Sequence, residues 1–226
     1  MSLIYEERLS DSPYIELVTE GRTVGDSTTI RPAECHWHMI IVRHEGGIMP
    51  LMTGALRTSG EVNFIEGVEL LWIKFKLGTF MPHMPARNLL DTETPLPTAS
   101  GRSFWLKGSA WQFPSFENVE TFIERLVRDE ILVRDPVVAA VLNNEPQDIP
   151  ERTMRHRFLR ATGLTQTYIR QMQRAQQAAA LLEQGVPILD TVYEAGYFDQ
   201  PHLTRSLKRF IGKTPAQQLV RVCQPE

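Results

Sequence analysis

Hydrophobic and polar residues alternate over the first half of the chain, in short runs that end at glycine. One such run is GVELLWIKFKLG, whose alternation predicts that Leu70 and Trp72 lie on one face of a strand and Ile73 and Phe75 on the other. A second run, rich in Ile, Val and Trp, is HWHMIIVRHEG. Such runs, separated by turn-forming stretches such as MPLMTGALRTSGE and TETPLPTASG, predict β-strands. We therefore expect a β-rich sandwich or barrel over residues 1–113.

The pattern becomes helical near Pro114. Ser115 suits an N-cap, and a predicted helix near 115–134 follows it. Its apolar seam is Val119, Phe122, Ile123, Leu126 and Val127. We interpret residues 114–135 as a helix that connects two domains and dimerises, and residues 136–221 as all-α, so the fold class is α+β.

Further helical segments follow one another to Leu219. VVAAVLNNEPQD predicts a short helix that ends near Asn143, and PERTMRHRFLRATG a second one that stops at Gly163. TQTYIRQMQRAQQAAALLEQG predicts a long helix closed by Gly185, and PILDTVYEAG a short one. The seam expected for the long helix is Tyr168, Met172, Ala175, Ala179 and Leu182.

The stretch AGYFDQPHLTRSLKRFIGKTP, residues 195–215, has the layout of a turn, a helix and a stop. Asp199 suits the N-cap, Gly212 suits the position after the helix, and Pro215 cannot continue it. A weaker copy of this layout lies about fifty residues earlier. A short helix, a turn and a basic amphipathic helix form the helix-turn-helix plan, whose second helix enters the major groove of DNA.

Residues 137–219 resemble the AraC/XylS family of transcriptional regulators. The resemblance rests on RHRFLRATGLTQTYIRQMQRAQQAAALL and GYFDQPHLTRSLKRFIGKTP. It implies a tandem helix-turn-helix domain preceded by a sensor or cupin-like domain. The chain departs from the family at Pro150, where Ser is usual, and at Thr191 and Val192, where Ile and Ala are usual. Thr191 is expected to face the core, where its hydroxyl can bond to an upstream carbonyl.

The resemblance and base chemistry together identify the DNA-contacting residues. Arginine suits guanine, and glutamine suits adenine. The expected contacts are Arg152, Arg155 and His156 in the first recognition helix, and Gln200, His202, Thr204, Arg205 and Lys208 in the second. We expect Lys208, Arg170 and Arg174 to meet phosphates or solvent. Phe158, Tyr197, Leu203, Leu207 and Phe210 are expected in the core.

The uneven distribution of charged residues along the chain supports an anionic partner for the helical part. A basic face that only meets solvent would give the same excess of Lys and Arg. Residues 1–135 hold 13 Lys and Arg against 19 Asp and Glu, whereas residues 150–213 hold 10 against 5. No run of apolar residues suggests a membrane span, and the first residues lack the pattern of a secretory signal. With only Cys35 and Cys223, we expect reduced thiols in a cytoplasmic protein.

The β-rich part has no motif of comparable strength. His36 and His38 alternate on a predicted strand and so share a face, as in metal-binding cupins. Glu45 lies farther along the chain from these histidines than the glutamate of such a site does, and the pattern gives no position for His44 or His83. We therefore predict no metal, no cofactor and no catalytic residue. His36, His38 and Trp72 are the candidates for contacts with an effector.

These patterns predict a transcription factor that binds double-stranded DNA and, through its β-rich part, a small-molecule effector. A homodimer and contact with RNA polymerase are further expectations. One alternative is a cupin-type metal-dependent enzyme with an accessory helical domain. Another is a DNA-binding protein without an effector, whose β-rich part only oligomerises. Deleting residues 1–135 should leave a fragment that still binds DNA, and the DNA site should contain two different boxes.

Overall fold

The computed structural model describes residues 3–219 and contains two compact units. Unit 1 comprises the chain up to Thr28, Cys35–Ala55 and Asn63–Gln166. Unit 2 comprises Thr29–Glu34, Leu56–Val62 and the chain from Thr167 onward. Cys35 is buried, and its sulfur lies 3.7 Å from the Nδ1 of His36. Cys223 and the last two residues of the predicted DNA-binding domain lie outside the described residues.

The largest sheet of unit 1 is antiparallel and has six strands, in the order β1-β2-β7-β4-β5-β9. Its strands are β1 (Leu3–Leu9), β2 (Ile15–Thr23), β4 (His38–His44), β5 (Gly47–Thr53), β7 (Glu69–Phe75) and β9 (Glu93–Pro95). Val18, Ile73 and Met39 lie opposite one another across three strands, and all three are fully buried. Because neighbours along a strand point to opposite faces, Trp72 lies on the other face, as the alternation predicts.

Smaller sheets complete the β structure of the described chain. β10 (Thr98–Ser100), β11 (Ser103–Leu106) and β12 (Ser109–Gln112) form one sheet. β8 (Thr79–Phe80) pairs with β13 (Val133–Arg134), and β3 (Ser27–Arg31) pairs with β6 (Gly60–Phe64). A 3₁₀ helix spans Ala86–Leu89.

The helices follow in chain order. They are α1 (Val119–Arg128), α2 (Pro136–Leu142), α3 (Glu151–Thr162), α4 (Gln166–Glu183), α5 (Ile188–Glu194), α6 (Gln200–Phe210) and α7 (Pro215–Leu219). The first three belong to unit 1, and α5–α7 belong to unit 2 with nearly all of α4. No helix within residues 3–219 is both long and apolar enough to cross a membrane.

The β-rich start and helical end are confirmed, but some local predictions are wrong. MPLMT was assigned to a turn-forming stretch and instead lies in β5, where Met52 is fully buried. The stretch at 92–101 contains the short strands β9 and β10. β9 and β10 have three residues each, in the sequences ETP and TAS, so they carry no alternating apolar pattern that would distinguish them from turns.

The helix predicted near 115–134 is shorter and lies inside unit 1. It begins after Asn118 rather than Ser115, and the chain leaves the helix at Asp129, before Glu130 takes a positive φ of 53°. Phe122 packs near Phe104 and Trp111, with ring centroids 6.2 and 6.0 Å apart. Val119, Phe122, Ile123 and Leu126 are buried within their own unit, and a role of this helix in dimerisation stays a prediction.

Candidate nucleic-acid interface

The first short helix and recognition helix, α2 and α3, pack together within unit 1. The carboxylate of Asp135 caps α2 by accepting a hydrogen bond from the N–H of Val137 at 3.0 Å. Phe158 and Ala161 bury the inner face of α3. The helix ends at Gly163, whose φ of 74° suits glycine. α2 ends at Asn143 and α3 at Gly163 as predicted.

The outer face of α3 carries the predicted DNA contacts. Arg152, Arg155 and His156 are all exposed. The guanidinium of Arg155 pairs with Glu151 one turn earlier, but both side chains remain largely exposed, at 76% and 68%. An exposed ion pair of this kind contributes little to stability, so the Arg155 guanidinium stays accessible to another anion.

Arg157, on the same helix, has a structural role that the sequence analysis missed. Its guanidinium donates two hydrogen bonds to Asp135, at 2.9 and 2.7 Å. This bidentate pair raises the pKa of Arg157. Asp135 thus caps α2 and fixes α3 with one carboxylate.

The second recognition helix, α6, has the predicted turn, helix and stop. Asp199 accepts a hydrogen bond from the N–H of His202 at 2.7 Å and is the N-cap. Leu203, Leu207 and Phe210 are buried, whereas its exposed residues include Gln200, Arg205 and Lys208. The helix therefore presents hydrogen-bonding and cationic groups opposite its apolar side.

Two other predicted contacts of α6 are engaged within unit 2. The ring of His202 meets Tyr197 edge-on, with centroids 5.1 Å apart, and is half-buried. The hydroxyl of Thr204 donates to the carbonyl of Gln200 at 2.9 Å. Of the five residues predicted in this helix, Gln200, Arg205 and Lys208 are the most accessible.

The C-terminal end of α6 is held by two segments from the first third of the chain. The N–H of Ala33 donates to the carbonyl of Phe210 at 2.7 Å, and the N–H of Ser59 donates to that of Arg209 at 2.8 Å. These donors satisfy carbonyls that a helix end leaves without partners. Gly212, with φ 82°, follows the helix and faces Ile30.

α4 supplies the core of unit 2, with one correction to its predicted seam. Ile169 is fully buried, whereas Tyr168 is only half-buried. The hydroxyl of Tyr168 donates to the carbonyl of Arg57 at 2.6 Å and accepts from Arg209 at 3.1 Å. The ring of Tyr168 still packs edge-on against the buried Phe210, with centroids 5.6 Å apart, while its hydroxyl contacts polar partners.

The second short helix, α5, contains the departure from the family pattern at Thr191. Its side chain is fully buried, and its hydroxyl donates to the carbonyl of Val186 at 3.5 Å. Arg174 of α4 is directed inward: its guanidinium lies 4.7 Å from the ring of Tyr197 and donates to Gly196. Arg174 is therefore a structural residue rather than a free phosphate contact.

In the β-rich part, His36 belongs to a charged cluster. Its Nε2 lies 3.0 Å from a carboxylate oxygen of Glu16, whose other oxygen lies 2.9 Å from the Nζ of Lys74. The hydrogen bond from His36, aided by Lys74, outweighs partial burial and lowers the pKa of Glu16 to about 2. His36 thus has a protein partner at Nε2, whereas its Nδ1 lies 3.7 Å from the sulfur of Cys35. Glu34, Cys35 and His36 each place one possible metal-ligand atom within 4.8 Å of the others.

His38 and His44 lie too far apart to share a metal ion. The ring of His38 is 2% exposed and meets Trp72 edge-on, with centroids 5.2 Å apart. His44 lies at the far end of the same seven-residue strand, about 20 Å away at the rise of a β-strand. His38 and His44 therefore cannot bind one ion, and a metal-dependent enzyme built on His36 and His38 stays a prediction.

Comparisons with known proteins place the similarity in the helical part. A family model described as a helix-turn-helix domain matches residues 148–219, which include α3 to α7. No curated protein sequence matches the chain. The structure of ToxT from Vibrio cholerae aligns with 97% of this chain and 98% of its own, at 11% identity and a TM-score of 0.38. A TM-score of this size does not establish a common fold.

Proposed function

We propose that the chain is a DNA-binding transcriptional regulator of the AraC/XylS type, and that α3 and α6 both read DNA bases under the control of an effector. The match of residues 148–219 to a helix-turn-helix domain supports this proposal. The observation that supports base readout is the sidedness of the two helices. Each buries an apolar face and exposes arginine, at Arg155 and Arg205. Arginine can bind guanine bidentately in the major groove.

Binding to DNA at increasing salt tests the proposal. Each phosphate neutralised by a Lys or Arg releases counterions, so log affinity should fall linearly with log salt concentration. Lys208→Ala should weaken binding to a selected site and to unrelated duplex by the same factor, because phosphate contacts carry no sequence information. Arg205→Ala should weaken only the selected site. Affinity that does not change with salt would contradict the proposal.

The effector is the second part of the proposal. A cleft of about 530 Å³ lies across β1, β2, β7 and β4. It is lined by Ile4, Tyr5, Glu6, Glu20, Gly21, Arg22, Arg43, Glu69 and Leu70. Carboxylates and guanidinium groups in one cleft suit a small zwitterion. The predicted candidates His36, His38 and Trp72 do not line it.

A panel of free amino acids tests the effector proposal on the full chain. A member that binds should raise the unfolding temperature and change affinity for the selected DNA site, and Arg43→Ala should remove both effects. If no amino acid raises the unfolding temperature or changes DNA affinity, the proposal of a zwitterionic effector is wrong. The alternative, in which the β-rich part only oligomerises, then gains support. A homodimer, contact with RNA polymerase and a cytoplasmic location stay predictions, as do the predicted domain boundaries.

A further inference from the structure

A cleft in unit 1 lies between the first recognition helix and the 3₁₀ helix of the β-rich part. It has a volume of about 420 Å³. Its lining residues are Pro85, Ala86, Arg87, His156, Leu159 and Arg160. Three of them belong to α3, and the other three belong to the 3₁₀ helix and the residue before it.

Close backbone packing fixes Arg87 beside α3. A Cβ added to Gly163 would lie 3.0 Å from the carbonyl carbon of Ala86 and 3.1 Å from the nitrogen of Arg87. The guanidinium of Arg160 lies 5.4 Å from the centre of the Phe80 ring. The position of the Arg87 backbone relative to the end of α3 is therefore determined by contacts on both sides of the cleft.

The chemistry of this cleft suits a phosphate group. The six described lining residues include two arginines, one histidine and no carboxylate. Arg87, His156 and Arg160 are all exposed. A guanidinium binds phosphate oxygens through two parallel hydrogen bonds, which makes arginine the preferred residue for such a contact.

The cleft also lies where a DNA backbone is expected. His156 lines it and is at the same time one of the predicted groove contacts of α3. The sugar-phosphate strands that border a major groove run beside any helix inserted in it, and phosphate contacts fix the register of that helix. A cation next to His156 but on a different element is well placed to make such a contact.

We propose that Arg87, together with Arg160, binds a phosphate of the DNA backbone that borders the major groove read by α3. The β-rich part of the chain then contacts DNA directly, in addition to any sensing role. This inference rests on the proposed function, because it requires α3 to enter the groove. It assigns a DNA contact to a residue outside the helix-turn-helix domain.

Salt titrations of the full chain and two arginine variants test this inference. Arg87→Ala removes the proposed contact, and Arg102→Ala removes an exposed arginine from the turn between β10 and β11, which does not line the cleft. Affinity is measured for a selected site and for an unrelated duplex from about 50 to 300 mM KCl. Arg87→Ala should make the slope of log affinity against log salt shallower by about one on both duplexes, whereas Arg102→Ala should match the wild type.

Equal slopes for the two variants would overturn the inference while leaving the proposed function intact. Failure of the wild type to bind any duplex would overturn the proposed function and this inference with it. Arg87→Gln serves as a second variant that keeps a long polar side chain, and it should change the slope as much as Arg87→Ala. Unfolding temperatures equal to that of the wild type would show that the effect is electrostatic rather than structural.

Discussion

The guanidinium of Arg157 binds the carboxylate of Asp135 with Nε donating at 2.9 Å and Nη2 at 2.7 Å. Asp135 is also the N-cap of α2. We expect Asp135→Ala to destabilise unit 1 by about 1–2 kcal/mol from the cap alone, because the first N–H groups of α2 lose their acceptor. Asp135→Asn keeps a capping oxygen and should cost less. Urea unfolding measures both, and equal costs would show that the cap contributes nothing.

A fragment that begins at residue 136 should be less stable than the full chain. It lacks Asp135 and the Ala86 backbone against which Gly163 packs, and it lacks the N–H groups of Ala33 and Ser59 that bind the end of α6. The expectation that this fragment binds DNA on its own therefore loses support. Circular dichroism on heating should show a lower melting temperature and reduced helix content. A fragment that melts as the full chain does would contradict this account.

Local sequence patterns were enough to predict α4 and α6, because their caps and stops lie beside them. Asp199 and Gly212 occupy the predicted positions. Pairings between distant residues could not be predicted, since Asp135 and Arg157 are 22 positions apart and Ser59 and Arg209 are 150 apart. The position of Arg87 beside α3 could not be predicted for the same reason, because no sequence pattern near residue 87 indicates contact with a recognition helix.

Two glycines with the same backbone conformation allow steric crowding to be separated from strain. Gly212 and Gly185 have φ values of 82° and 86°, both unfavourable for a side chain. A Cβ at Gly212 would collide with the Cγ2 of Ile30, whereas a Cβ at Gly185 would have no described atom within 4 Å.

Gly185→Ala should therefore cost about 1 kcal/mol, and Gly212→Ala about 2–4 kcal/mol because Ile30 must also move. Chemical denaturation followed by tryptophan fluorescence and circular dichroism gives both values. Equal costs would mean that the Ile30 segment does not pack on Gly212 in solution.

Acid should weaken the β-rich part through two carboxylates. The hydrogen bond from His36 lowers the pKa of Glu16 from an ordinary 4.5 to about 2. Hydrogen bonds from Arg8 lower the pKa of Glu120 by the same amount, to about 2. Because the folded pKa lies below the unfolded one, the stabilisation is complete above about pH 4.5 and is lost as the pH falls toward 2.

Glu120→Gln should flatten this part of the pH profile, and Glu124→Gln, at an exposed position of the same helix, should not. Unfolding free energies between pH 3 and pH 6 would provide the comparison, over about the range where carboxylates titrate. An unchanged slope in Glu120→Gln would show that the Arg8 contact does not persist in solution.

The central claim is that one chain reads DNA with two different helices. α3 offers Arg152, Arg155 and His156, whereas α6 offers Gln200 and Arg205. Because these sets differ, the two boxes of the DNA site should differ in sequence, and the site of one chain should not be palindromic.

Selection of binding sites from random duplex DNA, with wild type, Arg155→Ala and Arg205→Ala in parallel, tests this claim most directly. The wild type should enrich a site with two boxes. Each variant should lose base preference in one box only, at about 1–3 kcal/mol for the bases that its arginine reads. Enrichment of no sequence by the wild type, or loss of preference at the same base pairs in both variants, would contradict it.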